Sequence, residues 1–195
     1  MDTITAIEGR RSIRKFTNAK IDDNTLSKII KSGILAPSSK NSQPWRFKII
    51  EGEKKDRLLV TFNEQLKRKE KFLKILGSPW IGTVKNSIQI MERTPVLVFI
   101  FEHRSSNQSI LKLSSFWQRS TYQSIGAAIE NMILTATSLG IGSLWICDVL
   151  FLQKECKKYF QTSDDLMAVI AFGYADEEPN SRPRKSYSEI VEYCR

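Results

Sequence analysis

The sequence predicts an α+β fold, a mixed β-sheet flanked by helices, from three observations. The run Val96–Phe101 is apolar throughout and reads as a central strand. Residues 26–34 and 122–136 repeat apolar side chains at helical spacing and read as amphipathic helices. Helix-like and strand-like segments interleave irregularly, without the steady alternation of a doubly wound sheet.

Each element follows in order. Asp2 or Thr3 can cap a short first helix that ends near Gly9. Asp22 and Asp23 precede Leu26, Ile29, Ile30 and Ile34, one buried face of a second helix. Ala36 to Pro44, with two Pro, three Ser and an Asn, breaks that helix and forms a loop whose hydroxyls and amides are free to bind a ligand. Arg46 to Glu51 reads as a strand, and Lys54 to Lys74 as a basic amphipathic helix built on Leu58, Leu59, Phe62, Leu66 and Leu73. After a break near Gly77–Pro79, the sequence assigns no element until the strand Thr94–Glu102. A long helix runs from about Arg119 to Leu139 and stops at Gly140, with Gly126, Ala127 and Ala128 small enough for close packing. A strand at Ser143–Cys147, a short helix around Leu152–Tyr159 and a strand at Leu166–Tyr174 complete the order, and a Pro-containing extension begins at Pro179. No internal repeat interrupts it, and residues 1–195 are expected to form one domain, long enough to bury a core without disulfide or metal.

Composition excludes several classes of chemistry. Cys147, Cys156 and Cys194 form no CxxC pair and the chain has one His, so no metal centre is expected. A Ser-His-Asp or Cys-His hydrolase would have to use His103, which reads instead as a polar residue closing a strand, and no GxSxG occurs. The longest apolar run is far short of the roughly 20 residues that cross a bilayer. The first nine residues carry two acids and no base, so neither membrane span nor secretory signal is expected, and a cytoplasmic location follows. The net charge is +9. Residues 1–75 hold 18 bases and nine acids and residues 76–195 hold 12 of each, so the whole excess lies in the first part. It falls into two clusters, Arg10–Lys20 and Lys54–Lys74. The second reads as a solvated helix face, its rival reading being a surface for an anionic substrate, a dinucleotide or a nucleic acid. The interleaved aromatics and bases of RNA-binding sheets are absent, as is a clear recognition helix, so no nucleic-acid partner is expected.

A chain with one His and no evident acid–base pair must borrow its reactive group. Gly140-Ile141-Gly142 does not supply a dinucleotide fingerprint, because Trp145 stands where the third Gly belongs and the segment follows a helix. No Walker A sequence occurs, so a phosphate would be held by side chains. Arg10-Arg11-Ser12-Ile13-Arg14 sets three guanidiniums and a hydroxyl within five residues, enough to grip one phosphate by bidentate hydrogen bonds. Composition alone fits a solvated face equally well. The neighbouring loop Pro37-Ser38-Ser39-Lys40-Asn41-Ser42-Gln43-Pro44-Trp45, rigid and rich in neutral donors and acceptors, suits the edge of a heteroaromatic ring.

Together, Arg10–Arg14 and Ala36–Phe47 resemble the amino-terminal signature of the FMN-dependent nitroreductase family, an RxSxR-like run followed by an APSxxNxQPW loop. Gly140–Ile146 resembles its GLGxxWI segment, Ala171–Tyr174 a later strand and Arg182–Lys185 its basic carboxy-terminal motif, so the matches run from residue 10 into the carboxy-terminal tail. The resemblance implies a nitroreductase-like homodimer with FMN in the subunit interface and NADH or NADPH as electron donor. It implies that Arg10, Ser12 and Arg184, with Arg11 beside them, hold the FMN phosphate and that Arg14 approaches the pyrimidine edge. Pro37, Ser38, Ser39 and Asn41 would reach the same flavin from the other subunit, and Trp145, Ile146 and Cys147 would lie along the ring system. No side chain is implied as a catalytic acid or base, since the flavin performs the hydride transfer and the protein binds and tunes it. Arg14 would act as an electrostatic tuner of the charge that reduction places near N1 and O2. Planar acceptors such as nitroaromatics or quinones follow, with a dedicated acceptor, for example in reductive dehalogenation, or a basic regulatory protein as alternatives. Cys147 departs from the family pattern and either touches the flavin or packs. Phe72, Trp80, Phe116 and Trp117 are each either lid or core residues.

Overall fold

The computed structural model describes residues 1–75, 80–103 and 115–194. A four-stranded sheet of order β1–β2–β4–β3 lies at its centre, built from β1 (Trp45–Glu51), β2 (Val96–Glu102), β3 (Gly142–Ile146) and β4 (Asp165–Gly173). The three neighbouring pairs are all antiparallel. The parallel component of the expected mixed sheet is a single bridge from Ser12 to Ser143, outside the named strands.

The apolar run of β2 is explained by its position, inside the sheet with helices on both faces. Successive side chains alternate between the faces. Leu97, Phe99 and Phe101 point into one layer with Val169 and Ala171 of β4. There α3 (Gly52–Ile75), α4 (Trp80–Arg93) and α6 (Gln153–Phe160) bring Leu58, Phe62, Ile88 and Cys156. Val96, Val98 and Ile100 face the other layer with Ile170 and Phe172. That layer is covered by α2 (Asp23–Ile34) and α5 (Ser115–Ser138) through Ile29, Ile125, Ile129 and Met132. Close approach of these two helices comes from Gly33 on α2, where a Cβ would stand 2.8 Å from Met132 Cγ.

Helix starts agree with the capping reading. Asp2 accepts the amides of Ile4 and Thr5 ahead of α1 (Thr3–Gly9), and Asp22 accepts the Thr25 amide at 2.9 Å ahead of α2. Helix α5 starts four residues before the sequence reading. Helix α4 is the element that reading left unassigned: Val84, Ile88 and Met91 do repeat at helical spacing, but Gly82, Thr83, Asn86 and Ser87 are poor helix formers and dilute the signal. The tail carries one helical turn, α7 (Tyr187–Ile190), capped reciprocally by Ser186 and Glu189. Among the described residues no helix is long and apolar enough to cross a membrane.

Candidate functional site

The chain between α1 and α2 forms a strap across the ends of β3 and β4. Ile13 N–H donates to Ser143 O at 2.9 Å, Thr17 N–H to Tyr174 O at 2.9 Å, and Asp176 N–H returns a bond to Lys15 O at 2.9 Å. Two glycines admit the strap. A Cβ on Gly142 would stand 3.0 Å from Ile13 Cγ1, and one on Gly173 would stand 2.9 Å from Phe16 Cδ1, so Ile13 and Phe16 seat on bare backbone. Glu177 closes the arrangement, its Oε1 accepting the amides of Arg14 and, at 3.1 Å, Lys15. One carboxylate thus clamps the strap to the start of the carboxy-terminal tail.

The clamp brings together residues about 170 positions apart in the sequence. A cleft of about 270 Å³ is lined by Arg10, Arg11, Ser12 and Arg14 from the strap and by Arg182 and Arg184 from the tail. Its other charged lining residue is Glu8. The guanidiniums bond mostly to backbone. Arg11 donates to Glu8 O at 2.7 Å and Arg10 O at 2.8 Å, Arg14 to Ser12 O at 3.1 Å, and Arg184 to Arg182 O at 3.3 Å. Arg10 lies 3.9 Å from Glu130 of α5, a half-exposed pair of little energetic consequence. Five cations against one lining carboxylate leave donors and positive potential for an anion, and the guanidinium forks match phosphate geometry.

Trp145 stands on the same face of β3 as Ser143, the strap's bridge partner, with its ring edge 4.0 Å from where a Gly126 Cβ would be. Ile146, on the opposite face, is buried in the core. Cys147 begins the short 3₁₀ turn Asp148–Leu152. Its thiol is pushed above the ordinary value by partial burial and then by the Asp148 carboxylate, so it is a neutral thiol at pH 7.

The remaining candidates lie elsewhere. Pro37 is exposed, and Ser38, Ser39 and Asn41 belong to a tight loop with a 3₁₀ turn at Ser39–Asn41. Lys40, Asn41 and Gln43 all have positive φ, 52°, 52° and 44°, an arrangement that costs non-glycine residues about 1 kcal/mol or more each. The loop is braced from within and without: Ser38 Oγ accepts the Gln43 amide at 3.0 Å, and Ser39 N–H donates to Ser124 Oγ on α5 at 3.2 Å. Ser38 therefore uses one of its two acceptor sites on the loop itself, which its composition did not disclose. On α5, Ser124 is separated from Gly126 by about 160° and from Glu130 by about 120° around the helix axis. The loop and the guanidinium cleft occupy different faces of α5, and one chain does not bring all twelve candidates together.

Sequence reasoning placed no role on Arg182, although its motif was noted, and did not find Glu177. An acid shortly after a strand carries no local signal; its task exists only once the strap lies against it. Of the candidate lid residues, Phe116 is exposed and Trp117 half-buried, while the side chains of Phe72 and Trp80 lie outside the described residues.

A helix-covered antiparallel sheet thus carries, between an amino-terminal strap and a carboxy-terminal tail, an arginine-lined cleft whose chemistry suits an anionic group such as a phosphate. The family model for the Nitroreductase family matches residues 7–174, and the chain belongs to that family. A relative from Methanothermobacter thermautotrophicus, named "Putative NADH dehydrogenase/NAD(P)H nitroreductase", is 26% identical over 186 residues, 93% of this chain and 82% of its own. Among solved structures, a BluB-like flavoprotein from Clostridium difficile 630 superposes with a TM-score of 0.79 at 26% identity, covering all of both chains. An FMN-dependent nitroreductase from Mycobacterium smegmatis, solved with NADPH, superposes with a TM-score of 0.75 at 20% identity over 98% of this chain and 97% of its own.

Proposed function

We propose that this single-domain protein is a cytoplasmic, homodimeric FMN oxidoreductase that takes hydride from NADH or NADPH and delivers it to planar aromatic acceptors such as nitroaromatics or quinones. The observation that carries the reading is the convergence of Arg10, Arg11, Ser12, Arg14 and Arg184 on one cleft from opposite ends of a chain that belongs to the Nitroreductase family. When bound, FMN supplies the hydride chemistry that no side chain here can perform.

The residues have distinct tasks. Arg10, Arg11, Ser12 and Arg184 hold the phosphate, with Arg182 adding charge at the rim. Arg14, exposed and fixed through its own amide by Glu177, sets a permanent positive charge at the pyrimidine edge. Trp145 borders the ring system from β3, Ile146 offers it only backbone because its side chain lies in the core, and Cys147 follows at the turn, its thiol contributing a neutral surface rather than a nucleophile. Pro37, Ser38, Ser39 and Asn41 contact the flavin held by the partner subunit. Two features support a dimer: the two halves of the site occupy different faces of α5, and the tail exposes Tyr187, Ile190 and Tyr193 to solvent in one chain. A second copy would complete the site and cover those side chains.

The purified protein should be yellow, release FMN on denaturation, lose its colour anaerobically with NADH or NADPH, and sediment as a dimer. A colourless protein that takes up no FMN overturns the reading.

A further inference from the structure

We infer that the Ser38–Gln43 loop and the start of α5 form a face selecting aromatic acceptors that carry a negative charge, an aryl carboxylate or a phenolate, with Lys40 as the specificity-determining residue. This rests on the flavin reading above, since Lys40 stands between Ser39 and Asn41, the residues assigned to the flavin. Its exposed ammonium lies 4.6 Å from the centroid of the Trp117 ring. Phe116 packs edge-on against Trp117, the centroids 5.7 Å apart at 79°, and is 64% exposed. The result is an aromatic platform with a cation resting on it. No carboxylate pairs with Lys40 among the described residues.

The charge pattern of the two segments that meet here points the same way. Residues 24–50 contain five bases and no acid, and residues 115–129 contain one base, Arg119, and no acid. The Ser39–Ser124 hydrogen bond joins these segments. Two of the other four bases in the first segment already have partners: Arg46 shares Asp164 with His103, and Lys48 donates to Phe160 O at 3.0 Å. Lys40 is set against an aromatic face instead, held there by a backbone at φ 52°. A neutral planar acceptor gains only stacking from such a surface. An anionic one adds an ion pair to that ammonium, an attraction that salt screens.

The test titrates FMN-loaded protein at low ionic strength with benzoate and with benzamide, unreactive rings of similar shape that differ in charge, and follows the flavin absorption. Benzoate should bind about tenfold tighter, and this preference should shrink as salt is added. K40M should reduce the preference to twofold or less, K40R should retain it, and K40E should reverse it. Met, Arg and Glu share lysine's difficulty at positive φ, so loop strain does not separate the variants. Equal binding of the two rings, or a preference unchanged in K40M, overturns the inference while leaving the flavin reading intact. Loss of NADPH affinity in K40M with the benzoate preference unchanged reassigns the lysine to the donor and overturns it as well. A protein that takes up no FMN shows this before any titration, and refutes the functional reading and the inference together.

Discussion

The two basic clusters are similar in the sequence and opposite in the structure. On α3 the bases that have partners are neutralised one at a time: Arg57 pairs with Glu53 one turn away, and Lys69 pairs with Glu155 at 3.1 Å and donates to Phe151 O. Lys55 is buried and donates to Glu92 O at 3.1 Å and Thr94 O at 2.6 Å, closing the end of α4. Lys67 and Arg68 are exposed. On the strap, the guanidiniums converge with two more from the tail around a cleft with one lining carboxylate. The count of bases does not distinguish a solvated face from a binding site. What does is whether the charges are neutralised by their own neighbours or gathered by tertiary contact onto a common volume.

Substitutions in the two clusters should therefore separate sharply. R10A or R184A should weaken FMN binding about 10- to 100-fold by flavin fluorescence titration, because a hydrogen bond to a charged phosphate contributes about 1.5–3 kcal/mol. The double variant K67A/R68A should change it less than twofold, and a comparable loss there would erase the distinction drawn between the clusters.

Glu177 sharpens the comparison through the sign of its effect. If its charge were what mattered, removing a carboxylate near a cationic cleft would tighten phosphate binding. As the clamp on the Arg14 and Lys15 amides, it should do the reverse: E177A weakens FMN binding about tenfold, while E177Q, which keeps an accepting carbonyl, stays near wild type. Tighter binding in E177A would show that the clamp is unimportant.

Lys55 tests the α3 side. K55M removes the donor from two buried carbonyls and should destabilise the fold by about 1–3 kcal/mol in urea denaturation, with FMN affinity of the folded protein unchanged. Burial lowers the pKa of Lys55 below the ordinary 10.5, despite the opposing charges of Asp56 and Glu92. The unfolded chain therefore binds more protons just below pH 10.5, so this residue makes stability rise with pH in that window. K55M should remove that part of the slope. The smallest effect is electrostatic: R14Q should lower the two-electron flavin potential by about 30 mV, equivalent to roughly 1.4 kcal/mol. An unchanged potential in spectroelectrochemical titration would remove Arg14 as a tuner.

Much of the fold was legible because its signals are local. The apolar run of β2, the helical spacing of Ile125, Ile129 and Met132, and the caps Asp2 and Asp22 are each read within a few residues. Helix α4 was not legible, since poor helix formers occupy its surface and tertiary packing of Val84, Ile88 and Met91 overrides propensity. Within the candidate site, Arg10–Arg14 and Ser38–Asn41 were marked by their pairing and by the family resemblance, since composition alone fits a solvated face equally well. That the strap meets the tail through Glu177, and that the Ser38 loop sits across α5 from the cleft, depended on contacts between residues 85 to 163 positions apart.

From its residues alone this chain was restricted to chemistry that borrows a reactive group, since one His and no CxxC leave little else, and its candidate binding segments were marked. Tertiary structure decided which charges act together. Charge is a property of single residues, but a field that holds an anion needs several donors aimed at one volume with few counter-charges. Only the strap seated on Gly142 and Gly173 and clamped by Glu177 supplies that geometry.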